Sequence, residues 1–318
     1  MCCCCPEAVN ALFCLWCRSG CRQGTVAGAL TFFPPEPPLY ELLRFQNGRQ
    51  LAEHEPAQIT DNNNNNNNSN ATDKARNESP TTTDPENDCA DMATTAPEQV
   101  ANHLEDTETK GQTQEQMKSP IQQLTEQANE RRKRAKLRNA TDARDKKAGV
   151  TYQLALDPRL NTPPYDPNNV HALKIPNKQG AHVATIIYQV PQAHRTPETR
   201  TIIYSHGNAT DIGAMFPMQV VLVHALHVNV VMYDYSGYGA SGGVPEEKST
   251  YADLDAVYHY VLHESGLVTD ASRIVLYGQS VGSGPCCYLA AKHDQVGGLI
   301  LHSAFTSGMR VLTPSRCV

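Results

Sequence analysis

The sequence lacks a strong excess of charge of either sign: 27 lysines and arginines face 33 aspartates and glutamates, giving a formal net charge of −6 at pH 7. A general nucleic-acid binder needs a basic surface to neutralise phosphates, so this balance argues against that class. Long apolar runs are also missing, because residues 8–17 and 25–33 fall short of the ~20 residues that cross a bilayer. No lysine or arginine precedes the first run, which argues against a secretory signal peptide.

Cysteine is concentrated at one end of the chain. Of eleven cysteines, seven fall within the first 21 residues. They are Cys2, Cys3, Cys4, Cys5, Cys14, Cys17 and Cys21. Four consecutive cysteines cannot pair with one another without severe strain, because neighbouring Cα atoms are about 3.8 Å apart and their side chains diverge. No clear second cysteine pair or histidine set is available to complete a zinc tetrahedron with Cys14 and Cys17. We therefore predict neither a disulfide framework nor a metal site, and no cofactor.

S-acylation explains this cysteine cluster better than disulfides or a metal site do. On a helix, Cys14, Cys17 and Cys21 share one face, and apolar residues occupy positions 13, 15 and 16. Such a segment can lie in the membrane interface and offer its thiols to acyl chains. N-myristoylation is excluded because Cys2, not glycine, follows Met1. Two or more acyl chains hold a protein stably on a membrane. We predict that residues 1–46 form a lipidated anchor that binds membrane lipid.

A polar stretch follows, with an asparagine run at Asn62–Asn68. It cannot bury enough apolar surface to offset the entropy of ordering, so we predict a disordered linker over residues 47–150. Within it, Arg131–Arg138 is a compact basic run. Three interpretations are open: a nuclear signal, contact with anionic lipid, or a solvated charged helix end. Charge runs most often belong to the third class.

Strand and helix patterns alternate from residue 170 onward, which predicts an α/β domain over residues 151–318. The sheet is expected to be doubly wound and mostly parallel, because its strands are short apolar runs. The predicted strands are 170–175, 181–190, 201–205, 228–233, 273–277 and 298–302. The predicted helices are 212–226, 250–264 and 282–293.

A serine stands between two glycines where a predicted strand meets a helix, in Gly278-Gln-Ser-Val-Gly282. This is the pattern of a nucleophile elbow, in which a strained turn lifts the serine hydroxyl clear of the sheet. Glycines at both flanks let neighbouring backbone pass closely, and the helix N-terminus stabilises a developing oxyanion. We predict Ser280 as the nucleophile and Gly278 and Gly282 as elbow glycines.

A second motif, Ser205-His-Gly-Asn-Ala209, follows the strand at 201–205. In an elbow hydrolase this loop supplies one backbone N–H of the oxyanion hole, and the residue after the nucleophile supplies the other. We assign these donors to Asn208 and Val281. The alternative is that His206 and Gly207 only shape a tight turn, but the two motifs together argue against it. His206 is not assigned as the base, because in this fold the triad histidine follows the serine in the chain.

A glycine-rich loop closes the next strand, in Asp234-Tyr-Ser-Gly-Tyr-Gly239. Ligands of open α/β folds bind at this carboxyl edge of the sheet. Asp234 precedes Ser280, so we predict that it orders this loop and is not the triad acid.

Together these segments resemble the α/β-hydrolase domain-containing protein 17 family. The resemblance covers about the first 40 residues and residues 170–313, and it includes the cysteine-rich start and Phe32-Phe-Pro-Pro-Glu-Pro37. It is carried further by Tyr251-Ala-Asp253, Leu301-His-Ser303 and Thr306-Ser-Gly-Met-Arg310. It implies an α/β-hydrolase fold and a membrane-bound serine hydrolase. That enzyme removes S-acyl chains from palmitoylated membrane proteins, at the cytoplasmic face of the plasma membrane and endosomes.

The sequence departs from this family in the acid and the histidine that would complete a catalytic triad with Ser280. After Ser280, only His293, Asp294 and His302 are candidates for an acid and a base, and none occupies the position expected for its role. We therefore expect the sheet to be incomplete on its C-terminal side and the triad acid and histidine to be absent. The alternatives to a thioesterase are a catalytically inactive, lipid-anchored interaction protein and an esterase or lipase of small acyl esters.

Overall fold

The computed structural model describes residues 32–59 and 120–306, and it places nine strands in one sheet. The strands are β1 (Tyr40–Gln46), β2 (Arg49–Gln50), β3 (Thr151–Leu156), β4 (Val170–Pro176), β5 (His182–Tyr188), β6 (Thr201–Ser205), β7 (Asn229–Tyr233), β8 (Ile274–Gln279) and β9 (Gly298–His302). The helices are α1 (Pro120–Lys147), α2 (Ile212–Leu226), α3 (Glu247–His263) and α4 (Ser283–Lys292).

The strand order across the sheet is β2-β1-β3-β4-β5-β7-β6-β8-β9. Strands β7, β6, β8 and β9 run parallel to one another, while β1 to β5 form an antiparallel half that joins them through β5 and β7. All strands from β4 onward and helices α2 to α4 lie at their predicted positions, shifted by at most three residues at an end. These elements were predictable because each has its own apolar pattern.

The core lies on both faces of this sheet. On one face, Ile203 and Val231 pack with Leu254 of α3 and Leu289 of α4. On the other face, Ile202 and Val230 pack with residues of α2, including Phe216 and Val220. Successive residues of a strand point to opposite faces, so each central strand supplies both layers. Helices therefore cover both sides, and the carboxyl ends of the parallel strands are left to form a site.

The structure corrects the predicted boundaries of the anchor and the linker. Residues 40–46, assigned to the anchor, form β1, which pairs with β3 along its length and buries Tyr40 in the core. Residues 120–147, assigned to the disordered linker, form α1. The asparagine run and the seven N-terminal cysteines lie outside the described residues. Within the described ranges, no helix is long and apolar enough to cross a bilayer.

Helix α1 was not predicted from the sequence, because buried ion pairs attach it to the sheet. Lys174 of β4 lies 2.6 Å from Asp142 Oδ1, and Arg44 of β1 pairs with Asp145. Both carboxylates are buried. A helix without an apolar stripe is held in place by partners from distant parts of the chain, and a periodicity search cannot find such partners.

Candidate active site

Ser280 lies at the junction between β8 and α4. Its φ is +50°, a left-handed backbone conformation that is uncommon for a residue with a side chain. One 3₁₀ turn, Ser280–Gly282, connects the strand to the helix. Such strain costs on the order of 1–3 kcal/mol and persists only where the surrounding structure enforces it. A strained serine at a strand-to-helix turn is the geometry of a nucleophile elbow.

The two flanking glycines are required by close packing of backbone. A Cβ added at Gly282 would lie 2.2 Å from the carbonyl oxygen of Ser205, the last residue of β6. A Cβ added at Gly278 would lie 2.6 Å from the carbonyl oxygen of Gly282. Neither position can hold a larger residue unless the backbone moves, so both glycines shape the turn that carries Ser280.

The loop after β6 lies beside the elbow. Strands β6 and β8 are parallel neighbours with Ser205 opposite Gly278, so the residues that follow both strands emerge at the same edge of the sheet. A Cβ at Gly207 would contact the side chain of Gln279 at 3.6 Å, which shows how close the two loops run. The structure thus brings the segment of Asn208 next to the elbow.

The Asn208 side chain fixes this loop. Its Oδ1 atom accepts hydrogen bonds from the Tyr238 hydroxyl at 2.7 Å and from the backbone N–H of Phe33 at 3.0 Å. Sequence reasoning did not find these partners, because Phe33 is 175 residues away along the chain. Val281, the other predicted oxyanion donor, is buried at the start of the helical turn.

His206 is buried, and its contacts do not suit the role of general base. Its Nδ1 atom lies 2.8 Å from the Gly207 carbonyl oxygen. Its Nε2 atom lies 3.2 Å from Asp234 Oδ1, within the range of an ion pair but outside hydrogen-bond geometry. With 2% of its side chain exposed, His206 has little access to a substrate.

Asp234 orders the loops around the site. Its Oδ1 atom accepts a hydrogen bond from the Ile212 N–H at 3.0 Å, and its Oδ2 atom accepts one from the Tyr40 hydroxyl. Burial, reinforced by the nearby Asp234 carboxylate, raises the pKa of Tyr40 well above its usual value, so the hydroxyl remains a donor. The predicted loop-ordering role of Asp234 agrees with these contacts.

Asp253 is a second loop-ordering carboxylate, which sequence reasoning did not single out as functional. It accepts hydrogen bonds from the Ser236 N–H at 2.7 Å, the Ser236 hydroxyl at 2.8 Å and the Asn177 side-chain amide at 2.6 Å. Burial raises its pKa to about 6 despite these donors. Its only sequence signal was its place in the Tyr251-Ala-Asp253 motif.

The three candidates for acid and base do not contact Ser280. His302 Nδ1 lies 3.0 Å from the Tyr277 hydroxyl, and the His293 ring packs against Tyr258 with centroids 4.8 Å apart. Asp294 is exposed after α4. Within residues 32–59 and 120–306, the Ser280 hydroxyl has no hydrogen-bond partner.

Cys286 is a further nucleophilic side chain near the elbow. It is fully buried, and its thiol lies 3.3 Å from the Ser205 hydroxyl. Burial raises the pKa of this thiol to about 12, so it stays protonated and unreactive. In the described part of the chain, no three histidine, cysteine, aspartate or glutamate side chains cluster as metal ligands.

Comparison with known proteins gives the same fold. A family model described as "alpha/beta hydrolase fold" matches residues 200–315. The chain is 43% identical over 130 residues to "Alpha/beta hydrolase domain-containing protein aho-3" of Caenorhabditis elegans, covering 41% of this chain and 37% of that protein. It is 43% identical over 114 residues to the human "Alpha/beta hydrolase domain-containing protein 17B", covering 36% of this chain and 38% of that protein.

The chain thus spans less than two fifths of the length of these relatives. Among solved structures, an α/β hydrolase from Vibrio vulnificus is 19% identical, with a TM-score of 0.39 over 47% of this chain and 51% of that one.

Proposed function

This chain has the α/β-hydrolase fold and resembles the α/β-hydrolase domain-containing 17 proteins, and from that premise we propose that it is a serine hydrolase of S-acyl thioesters. Its substrates are palmitoylated membrane proteins. The observation that carries the proposal is the left-handed backbone of Ser280 between two glycines that have no room for a side chain. That strained backbone fits a hydroxyl presented for attack.

The reaction follows from this placement. The Ser280 hydroxyl oxygen attacks the thioester carbonyl carbon, and its proton ends on the departing substrate sulfur, while the N–H groups of Asn208 and Val281 stabilise the oxyanion. The carbon–sulfur bond breaks, the substrate cysteine leaves and takes up a proton, and the acyl chain remains on Ser280. Water then releases the fatty acid and regenerates the serine. A thiol with a pKa of about 8.5 leaves more readily than an alcohol, which suits a thioester substrate.

A substrate comparison tests this assignment. One peptide carries a palmitoyl group on a cysteine, and a matched peptide carries it on a serine in the same position. We expect kcat/KM for the thioester to exceed that for the ester by at least about tenfold, equivalent to ~1.4 kcal/mol in transition-state free energy. Equal values for both peptides, or preference for short-chain esters, would favour the esterase alternative.

A second candidate is an inactive, lipid-anchored interaction protein. It is favoured by one observation: the Ser280 hydroxyl has no histidine or acid beside it among the described residues. Without a base the hydroxyl stays protonated and is a weak nucleophile. Probe labelling of Ser280, described in the Discussion, separates the two candidates.

For location, we propose that acylation of the seven N-terminal cysteines holds the protein on the cytoplasmic face of the plasma membrane and endosomes. Changing all seven to serine should move the protein from the membrane fraction to the cytosolic fraction of cells, because the proposed acylation sites would be lost. Cys287→Ser is the matched control, since this exposed cysteine lies on α4, and its protein should stay on the membrane. Retention of the sevenfold variant after a high-salt wash, which removes electrostatic contacts with lipid, would refute acyl anchoring.

A further inference from the structure

A cavity of about 380 Å³ lies beside the glycine-rich loop that follows β7. It has three walls: the proline-rich segment Pro34–Pro38, one face of α1, and loop residues between Gly237 and Pro245. None of the residues proposed for catalysis lines it. The cavity is therefore separate from the elbow at Ser280.

Three arginines of α1 line the cavity. Arg131, Arg134 and Arg138 are spaced by three and four residues, so they share one face of the helix. Arg138 is already engaged, because its Nη1 atom donates to the carbonyl oxygens of Gly239 at 2.8 Å and Ser241 at 2.9 Å. These bonds dock the helix and fix the position of the other two arginines.

The other two guanidinium groups are available to a ligand. Arg131 lies 3.9 Å from Glu36, and both side chains are partly exposed, so this pair is weak. Arg134 has no ion pair or hydrogen bond with any residue that the structure describes. The proline wall contributes few N–H donors, so these arginines supply the hydrogen bonds. Two guanidinium groups over one cavity match the oxygens of a phosphate group.

The charge of α1 is opposite to that of the whole chain. The helix carries nine lysines and arginines and four acidic residues, while the protein has a net charge of −6. Two of the acidic residues, Asp142 and Asp145, are buried against Lys174 and Arg44. The exposed side of α1 is therefore strongly basic, as a surface that meets an anionic membrane should be.

The proline-rich wall begins close to the cysteine cluster. Phe32 lies eleven positions after Cys21 in the sequence, and an extended chain spans at most about 3.6 Å per residue, so the chain cannot separate these two residues by more than ~40 Å. We propose that the cavity binds the phosphate of an anionic phospholipid headgroup, with Arg131 and Arg134 as its ligands. The proposal that the cavity binds a phosphate group rests on the residues that line it. Only the choice of a membrane lipid as the source of that phosphate depends on the proposed anchoring.

Vesicle binding by the full chain tests this site. The protein is purified without acyl chains, so that binding reports on the protein surface alone. Vesicles of phosphatidylcholine with phosphatidylserine are compared with vesicles of phosphatidylcholine alone. We expect Arg131→Gln/Arg134→Gln to weaken binding to the anionic vesicles by at least about tenfold. Lys133→Gln/Lys136→Gln removes the same charge from the same helix outside the cavity, and should weaken binding no more than about threefold.

Equal losses in the two double variants would overturn the proposal, because they would indicate diffuse attraction without a site. Failure of the unaltered protein to bind anionic vesicles would also overturn it. Inorganic phosphate is the second probe: calorimetric binding of phosphate without vesicle binding would overturn the lipid as the source. All variants are compared by circular dichroism, since the four side chains are at least partly exposed and their change should leave the fold intact. None of these outcomes depends on hydrolase activity.

Discussion

Replacing Ser280 by alanine should abolish covalent labelling of the protein by a fluorophosphonate probe. The probe reacts with an activated serine hydroxyl, and the elbow presents this one at a strained turn. Because alanine has no hydroxyl for the probe to modify, we expect the labelling rate to fall by at least about a thousandfold. The measurement is the rate of fluorescent labelling of the purified full chain.

Ser303→Ala is the matched control for this experiment. Ser303 also has a positive φ, of +51°, and it is exposed just after β9, but it lacks the elbow and its glycines. Labelling of this variant should equal that of the unaltered protein. Labelling that survives in Ser280→Ala would rule out Ser280 as the nucleophile. An unaltered protein that never labels would favour the inactive interaction protein.

Replacing Asp142 by alanine should lower the free energy of unfolding by about 3–5 kcal/mol, because Lys174 would be left buried without its partner. The two side chains are 3% and 10% exposed, and burial lowers the pKa of Lys174, which shows how poorly its charge is solvated there. Urea unfolding followed by circular dichroism measures this change.

The double variant Asp142→Leu/Lys174→Met is the control for that measurement. Replacing both members of a buried ion pair by apolar residues is often neutral or stabilising. Asp142 Oδ2 has no hydrogen-bond partner in the described structure, so little else should be lost with it. We expect the double variant to recover most of the lost stability. A loss below about 1 kcal/mol in Asp142→Ala would show instead that α1 is docked weakly.

The parts of this protein that were predictable from sequence are those whose signal is local. Strands β6 and β8 are continuous apolar runs, and the glycines around Ser280 mark the turn that follows β8. Helix α1 gave no such signal, because its partners Arg44 and Gly239 are each 101 residues from the helix residues they bind. Phe33 likewise binds Asn208 across 175 residues of sequence, and the Phe32–Pro37 motif that contains it does not indicate which residue it contacts.

The position of the segment before β1 decides where the chain can be shortened. Phe32 is buried in the core, the Phe33 N–H binds Asn208, and the Leu39 N–H donates to Asp211 at 2.8 Å. Asp211 caps α2, the helix that follows the oxyanion loop. A fragment that starts at Tyr40 would lose these contacts and leave the loop of Asn208 partly unsupported. A fragment that starts between Cys21 and Phe32 would lose the seven cysteines but keep the contacts of Phe32, Phe33 and Leu39. A soluble version for crystallisation should therefore begin there.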